Sequence, residues 1–585
     1  MIRCLIPTLV LGMCTATALA QQQLDAKTDL DFNRFYDFEE LEEAMRSLAE
    51  AHPELTTLVS LGKSVEGREM WMLTINNPET GKDTSKPGMW IDGNVHGNEV
   101  QASETVLYTA WYLLEGYDEV PAIRELVDNN VFYLAPSVNP DGRAGWFRDA
   151  HSPHSNRTGL KPTDNDQDGL LDEDGPDDLN GDGHIGRMWR RDPNGTHKRN
   201  ERDPRIFERV EPVPGPDGKI MRGDWSMAGT EGIDNDGDGR INEDGQGGYD
   251  MNRNWPTDWK PTFVQRGAGD YPFSYPETRA VGDFIRAHPN IAAGQSYHNA
   301  GGMILRGPGT AKRESEYPRE DRAVYEAIGE AGVEMLPHYR LLVIHADLYP
   351  VHGGFVNWLA EGLGIVSYTN ELWTDKRMLQ NGQSLDEEGQ LRWHDHMLFG
   401  QAYTDWTEVE HPRYGTVLVG GPTKFFGRTP PPFLLEEEAH RNFAFTMFHA
   451  QEMPRLRAND VVVQDLGDNL WQVDLEIAND RLIPTRTRRA ADRGIGRPDI
   501  LLFDPADGTE LLAAGTTRNR FERTMQPQEH RPDRLILERG VPSRGITTVR
   551  YILRSPESPS GTFTYMAEKA SDLTIPLPGA TNQNE

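Results

Sequence analysis

From Phe35 to His52 apolar residues recur at helical spacing behind polar starters, which predicts a helix over Phe32 to about His52. Helical spacing returns at Ala102 to Glu115, at Glu277 to His288 and, after the turn-forming Pro430-Pro431-Pro432, at about Leu434 to Gln451. Short β-rich runs lie among these helices: Leu73 to Asn76, Met89 to Asp92, Val131 to Pro136, Ile291 to Tyr297, Leu341 to His345 and Ile365 to Thr369. Brief apolar runs alternating with helices are the mark of strands covered on both faces. The expected fold over residues 21–453 is therefore α/β, a mixed, mostly parallel sheet flanked by helices, and reactive groups in such sheets gather where strands end. From about Gly145 to Gly248 the apolar periodicity disappears and Asp, Gly, Asn and Arg dominate, so this stretch is expected to be a long insertion. Beyond Pro454 the texture changes to alternating segments such as Val461 to Val463, Trp471 to Leu475, Ile500 to Phe503 and Thr547 to Leu553. These predict a β-sandwich over 454–576, with 577–585 as a disordered tail.

The start of the chain accounts for both cysteines. Met1-Ile2-Arg3 is a short basic start, Cys4 to Ala18 is mostly apolar, and Ala18-Leu19-Ala20 forms an A-x-A cleavage site, so residues 1–20 read as a secretory signal peptide. Cys4 and Cys14 leave with it, which excludes disulfides, thiolate nucleophiles and cysteine metal sites from the exported chain. No later apolar run is long enough to span a membrane, and the chain is expected to be secreted or periplasmic. The formal net charge of −32 argues against a nucleic-acid partner, whose recognition needs a basic face.

Candidate chemistry begins at Gly93-Asn94-Val95-His96-Gly97-Asn98-Glu99, an H-x-x-E pair between a predicted strand and a predicted helix. This spacing lets an imidazole and a carboxylate converge on one cation, but roughly one such pair is expected by chance in a chain of this composition. His298, at the end of a predicted strand, supplies a third ligand type. Further motifs follow in order: Asn139-Pro140-Asp141-Gly142, Arg187-Met188-Trp189-Arg190, Asp250-Met251-Asn252-Arg253-Asn254, Tyr349 four residues before Gly353-Gly354, and Asn370-Glu371-Leu372. His394-Asp395-His396 looks like a chelate, yet on a helix its two imidazoles point to different faces, so a surface helix is expected. No G-x-S-x-G elbow or Walker loop occurs.

On this ordered set the chain resembles the zinc carboxypeptidases of the funnelin family from Phe32 to Gln451. The Gly-Asn interior of its H-x-x-E pair and the appended β-domain are similar to the regulatory, N/E-like branch. The resemblance implies one catalytic Zn2+ held by His96, Glu99 and His298, and Glu371 as the catalytic carboxylate. It further implies Asn252 and Arg253 as binders of a substrate's terminal carboxylate, Tyr349 closing over it, Arg190 polarising the scissile carbonyl and Asp250 orienting His96. Val356 would lie near the specificity pocket. The implied substrates are peptide or protein C-termini. Two alternatives stay open: amidase-type cleavage of cell-wall peptides, and a non-catalytic peptide- or surface-binding protein on the same fold.

The insertion repeats one theme at Asp164-Asn165-Asp166-Gln167-Asp168-Gly169, Asp178-Leu179-Asn180-Gly181-Asp182-Gly183 and Asp234-Asn235-Asp236-Gly237-Asp238-Gly239. Oxygen ligands at places one, three and five with Gly at six match the start of an EF-hand loop and point to structural Ca2+. Place twelve holds Gly175, Trp189 and Gly245 where a complete EF-hand has Glu, so further ligands would come from Asp172, Asp174, Asn242 or Asp244, or from one loop to another. The competing reading is a set of solvated Asp-Gly turns. Much of the chain's negative charge is thus concentrated in one region.

Overall fold

The apolar runs pair into one eight-stranded sheet: β1 (Thr56–Lys63), β2 (Glu69–Ile75), β3 (Gly88–Gly93), β4 (Val131–Ala135), β5 (Ile291–Asn299), β6 (Met303–Arg306), β7 (Arg340–Val343) and β8 (Val366–Leu372). Their order is β1-β2-β4-β3-β5-β8-β6-β7 in the computed structural model, which describes residues 24–164, 167–211, 213–214 and 221–577. The central β4-β3-β5-β8 block is parallel, β6 is antiparallel to β8 and parallel to β7, and the β1–β2 hairpin adds antiparallel strands at the other edge. Every residue of β3, β4 and β5 is buried, because helices lie on both faces. The helices Phe38–Ala51, Gln101–Glu115, Arg319–Met335 and Pro432–Gln451 contribute to one core, while Pro276–Ala287 and the turns after Met251 and Phe355 build the other. No helix among the described residues is long and apolar enough to cross a membrane.

Local chemistry sets the boundaries. The first helix starts at Phe38, later than its apolar spacing suggests, because Asp37 and Glu40 close a capping box: Glu40 N donates to Asp37 at 2.8 Å and Asp37 N to Glu40 at 3.0 Å. The run at Leu341 to His345 ends as a strand at Val343, where Ile344–Leu348 turns into a wide helical loop leading to Tyr349. The helix Glu387–Leu398 carries His394 and His396 as expected, but His394 is buried beside Phe426 while Asp395 binds Arg205 at 2.6 and 2.8 Å.

The insertion contains a sheet that its composition hides. Arg187–Arg191, His197–Arg199, Phe207–Arg209 and Trp225–Thr230 join Tyr403–His411 and Gly415–Pro422 in a six-stranded sheet. Strands as short as His197–Arg199 show no readable alternation, and a third of the sheet comes from a distant part of the chain. Its small cores centre on Met188, Val417 and Val419 on one side and on Trp189, Trp225 and Leu418 on the other.

Beyond Pro454 a five-stranded and a four-stranded sheet enclose a separate apolar core. Leu577 ends the strand Leu573–Leu577, so it is not part of a tail; Pro576 is tolerated there because the strand lies at a sheet edge. The unit is fixed to the α/β region by charged groups. Lys569 donates to the carbonyls of Pro289 and Ile291, and the buried Asp321 carboxylate accepts from the backbone N–H groups of Arg488 and Arg489, both at 2.8 Å. Residues 1–20, Asn165, Asp166 and 578–585 lie outside the described residues, and with them the expected signal peptide and the rest of the expected tail.

Candidate metal centre and active site

Three strand ends deliver the cluster. β3 stops at Gly93, and the following turn carries His96 and Glu99; β5 carries His298 one residue before its end; β8 carries Glu371 directly opposite His298 in the strand register. Asn94 sets the turn with a left-handed φ of 55° and donates to the His96 carbonyl at 2.8 Å. Gly97 permits the next contact: a Cβ there would stand 2.6 Å from the Asn156 carbonyl oxygen and 2.8 Å from Gly142 Cα, and its own N–H donates to the Arg157 carbonyl.

His96 Nδ1, His298 Nδ1 and Glu99 Oε2 converge. The two imidazole nitrogens are 3.1 Å apart, and they lie 3.0 and 2.9 Å from the carboxylate oxygen. All three residues are buried. His96 Nε2 lies 3.1 Å from Asp250 Oδ1; a carboxylate only accepts, so the ring proton sits on Nε2 and Nδ1 is bare. Ligand atoms arranged tetrahedrally around zinc stand about 3.3 Å apart, so this triangle of two nitrogens and one oxygen fits that ion. Zinc would be held by His96, Glu99 and His298.

The electrostatics divide the carboxylates. Burial raises the Glu99 carboxyl, but His96 and His298 outweigh it and hold it well below the ordinary range. Burial likewise opposes the Asp250 charge, yet Arg253, His96 and Arg157 keep it ionised. Glu371 behaves oppositely: burial and then the nearby Glu99 charge push it up to about 7. A carboxylate at that value beside a metal site is suited to taking and returning a proton.

The remaining expected residues are placed as follows. Asn252 and Arg253 occupy a short turn after Asp250, which caps it by accepting from Asn252 N at 2.8 Å. The Asn252 side chain accepts from Phe355 N at 2.9 Å, and buried Arg253 donates to the Asn252 carbonyl at 2.7 Å. Gly353, at φ 63°, is required beside them, since a Cβ would stand 2.3 Å from the Arg253 carbonyl oxygen. Tyr349 is 54% exposed at the end of its loop, within electrostatic reach of Arg157. Val356 is buried, with its carbonyl accepting from Ser367 Oγ.

Arg190 is not brought to the cluster. It lies on the six-stranded sheet, where it pairs with Asp192 at 3.3 Å and stands over Tyr414, and no contact among the described residues links it to His96, Glu99, His298 or Glu371. Two other arginines take the position. Arg157 donates to Glu99 Oε1 at 2.8 Å, Arg428 approaches the same oxygen at 3.3 Å, and both charges act on Glu371. An arginine near the start of the insertion occupies the place expected of one further along it. Arg157 could have been suspected from its place shortly after Asn139-Pro140-Asp141-Gly142, whereas Arg428 carries no sequence signal.

Among the described residues of the acidic loops, the carboxylates of Asp234, Asp236 and Asp238 offer oxygens within 4.8 Å of one another, as do those of Asp174, Asp236 and Glu243. Burial first, together with neighbouring carboxylates, pushes Glu173 and Glu243 each up to about 7. The middle loop is bonded internally. Asp178 accepts from the backbone N–H groups of Gly181, Asp182 and Gly183, and the Asn180 amide donates to Asp182 at 2.9 Å. In the first loop Asp164 accepts from Gln167 and Gly169 and Asp168 accepts from Leu170.

The family model for zinc carboxypeptidases matches residues 41–169 and 198–394, more than half of the chain. The chain belongs to the zinc carboxypeptidase family. Carboxypeptidase D of Rattus norvegicus is 34% identical over 120 residues, 20% of this chain and 9% of that protein. Carboxypeptidase A2 of Mus musculus is 34% identical over 124 residues, 21% of this chain and 28% of that protein. The chain therefore spans only a small part of the length of these relatives. Among solved structures, carboxypeptidase A from Helicoverpa armigera is similar with a TM-score of 0.43 at 18% identity, covering 73% of this chain and 76% of that one. Residues 455–577 match a domain family of unknown function. In this zinc carboxypeptidase family member the candidate ligand triangle is a buried His-Glu-His set, and the guanidinium groups that face it are those of Arg157 and Arg428.

Arg157→Gln is expected to lower kcat/KM for peptide hydrolysis about 10²–10³-fold with zinc content unchanged, the scale of losing one donor to a developing oxyanion. Arg190→Gln should leave kcat/KM close to wild type. Steady-state kinetics of both variants check this, and the reverse order would return the role to Arg190.

Proposed function

We propose that the protein is an exported zinc metallocarboxypeptidase that hydrolyses C-terminal peptide bonds. The observation that carries this reading is the convergence of His96, Glu99 and His298 from separate segments, with Glu371 set beside His298 by strand register. Zinc bound there supplies Lewis acidity to the attacking water and the scissile carbonyl. Glu371 takes the proton of that water and delivers it to the departing amine. Arg157 stabilises the negative charge that grows on the carbonyl oxygen. Arg253 offers a guanidinium fork to the substrate's free carboxylate, with Asn252 and the hydroxyl of Tyr349 as further donors. Asp250 fixes the tautomer of His96.

Export is supported by the basic start, apolar stretch and Ala18-Leu19-Ala20 site. Kinship with the regulatory branch is supported by the His96-Gly-Asn-Glu99 motif and the separate β-domain. Loss of a ligand or of the base is the expected mark of a non-catalytic binding protein, and none is missing here. Arg253, Asn252 and Tyr349 favour a free carboxylate, and peptides of the cell wall remain the second substrate class.

The acidic loops supply a structural role for calcium. Their crowded carboxylates need a cation, and weak oxygen-ligand sites fill in calcium-rich extracellular fluids. The loops also stand between Arg157 and Asp250 in the chain, so calcium would shape the rim of the site. Selective calcium removal with zinc retained should lower both peptidase activity and the thermal midpoint; unchanged values in both would exclude the role.

Incubation of the zinc-loaded protein with a peptide library, read by mass, should yield single residues released from C-termini. Glu371→Gln should abolish that release while zinc content is unchanged. A cation in the triangle favours the ionised form of Glu371, so the acid limb of kcat/KM should fall below pH 7, activity being lost as the base is protonated. Internal cleavage, or activity surviving Glu371→Gln, would refute the assignment.

A further inference from the structure

Resting on the reading that Tyr349 closes over a substrate's terminal carboxylate, we propose that His352 is a positioning residue for that recognition: through Asp258 it ties the loop that carries Tyr349 to the chain segment that carries Asn252 and Arg253. The stretch from Ala346 to Pro350 is exposed, while Ile344 before it and Val351, Gly353 and Gly354 after it are buried. Tyr349 therefore projects from a short arch whose reach is set by its two feet. The first foot is pinned at His345, whose backbone N–H and ring Nδ1 both donate to the Pro308 carbonyl, at 3.3 and 3.1 Å. The second is pinned at Val351, whose N–H donates to the Gly309 carbonyl at 2.8 Å.

His352 links that second foot to the segment beyond Arg253. Its ring Nδ1 lies 2.9 Å from Asp258 Oδ2, and a carboxylate only accepts, so the ring proton sits on Nδ1. The same oxygen accepts from Thr310 Oγ1 at 2.9 Å, one residue beyond the carbonyl that holds Val351. Asp258, His352, Val351, Gly309 and Thr310 thus close a ring of contacts around the foot. Asp258 enters it at a left-handed φ of 50°, which Asp tolerates better than most residues, and Lys260 lies 3.5 Å from its other oxygen. Gln265, farther along the same segment, accepts from the His352 N–H at 3.1 Å, so the segment grips His352 by backbone and ring together.

That segment starts at the turn of Asn252 and Arg253. Trp255 N donates to the Gly353 carbonyl at 3.1 Å and Phe355 N to the Asn252 side chain at 2.9 Å, so the foot is laid along the turn itself. A hydroxyl on an exposed arch gives little binding unless its position is fixed beforehand, because ordering it on binding costs conformational entropy. The half-buried His352–Asp258 pair supplies that order at the foot three residues from Tyr349. No hydrogen bond or ion pair among the described residues links His352 to His96, Glu99, His298 or Glu371, so it acts on binding and not on the chemical step.

Steady-state kinetics of the zinc-loaded full chain on a peptide with a free C-terminus, together with hydrogen exchange, test this. Tyr349→Phe should raise KM about tenfold with kcat within about twofold of wild type, the mark of lost uniform binding. His352→Ala should raise KM to a similar extent with kcat and zinc content unchanged. In that background Tyr349→Phe should raise KM by less than about twofold more, because the two changes remove one interaction. His352→Asn, whose amide nitrogen takes the place of Nδ1, should bring KM back to within about twofold of wild type. Amide exchange over residues 345–351 should quicken in His352→Ala and not in His352→Asn, a readout that does not depend on turnover. Unchanged KM or unchanged exchange in His352→Ala, or a Tyr349→Phe effect undiminished in that background, would overturn the role of His352 while leaving that of Tyr349 intact. No effect of Tyr349→Phe in the wild type would overturn both. Failure of the hydrolase reading shows separately, as no release of C-terminal residues by any form.

Discussion

Two imidazole nitrogens, that of His96 bare, and a carboxylate oxygen held about 3 Å apart in a buried place form the constraint on which the rest of the site depends. Lone pairs do not tolerate that proximity in a low-dielectric surrounding unless a cation or a proton lies between them. The neighbourhood is arranged to favour the cation. Asp250 commits the His96 proton to the far side of the ring, Arg157 and Arg428 neutralise the outer oxygen of Glu99, and the Glu99 charge in turn raises Glu371. Glu371 and the His96–Glu99–His298 set are thus one electrostatic unit, in which a change to any member is felt by the others.

The scaffold explains how such an unfavourable arrangement persists. β3, β5 and β8 are adjacent parallel strands buried on both faces, so their ends are rigid and their side chains have little freedom. The loops around them are then locked by close backbone approaches at Gly97 and Gly353 that no side chain could permit. The insertion contributes through its two roots. Thr163 Oγ1 bonds the Gly247 carbonyl and Gly159 pairs with Tyr249, which places Arg157 and Asp250 on neighbouring segments although nearly a hundred residues of chain lie between them.

What the sequence reveals and what it conceals divide along physical lines. The central strands were legible because burial on both faces writes itself as uninterrupted apolar runs, as in β4 and β5. His96, Glu99, His298 and Glu371 were legible because strand-end chemistry leaves short motifs in fixed order. Arg190 shows the limit: a run resembling a family motif lies on an accessory sheet, and Arg157 reaches Glu99 from a loop with no comparable motif. Arg428, from the loop before the last long helix, and the six-stranded sheet depend on contacts between segments far apart in the chain, which local pattern does not encode. His394 was misplaced for a related reason, since polarity on a helix says nothing about a loop that later covers it.

Zinc K-edge X-ray absorption on the protein loaded with one equivalent of zinc tests the central claim most directly. The ligand triangle predicts a nearest shell of nitrogen and oxygen at about 2.0–2.1 Å with outer-shell scattering from two imidazoles, one of which is lost in His298→Ala. A shell of oxygen alone, unaffected by that substitution, would mean that the acidic loops take the zinc and would contradict the account.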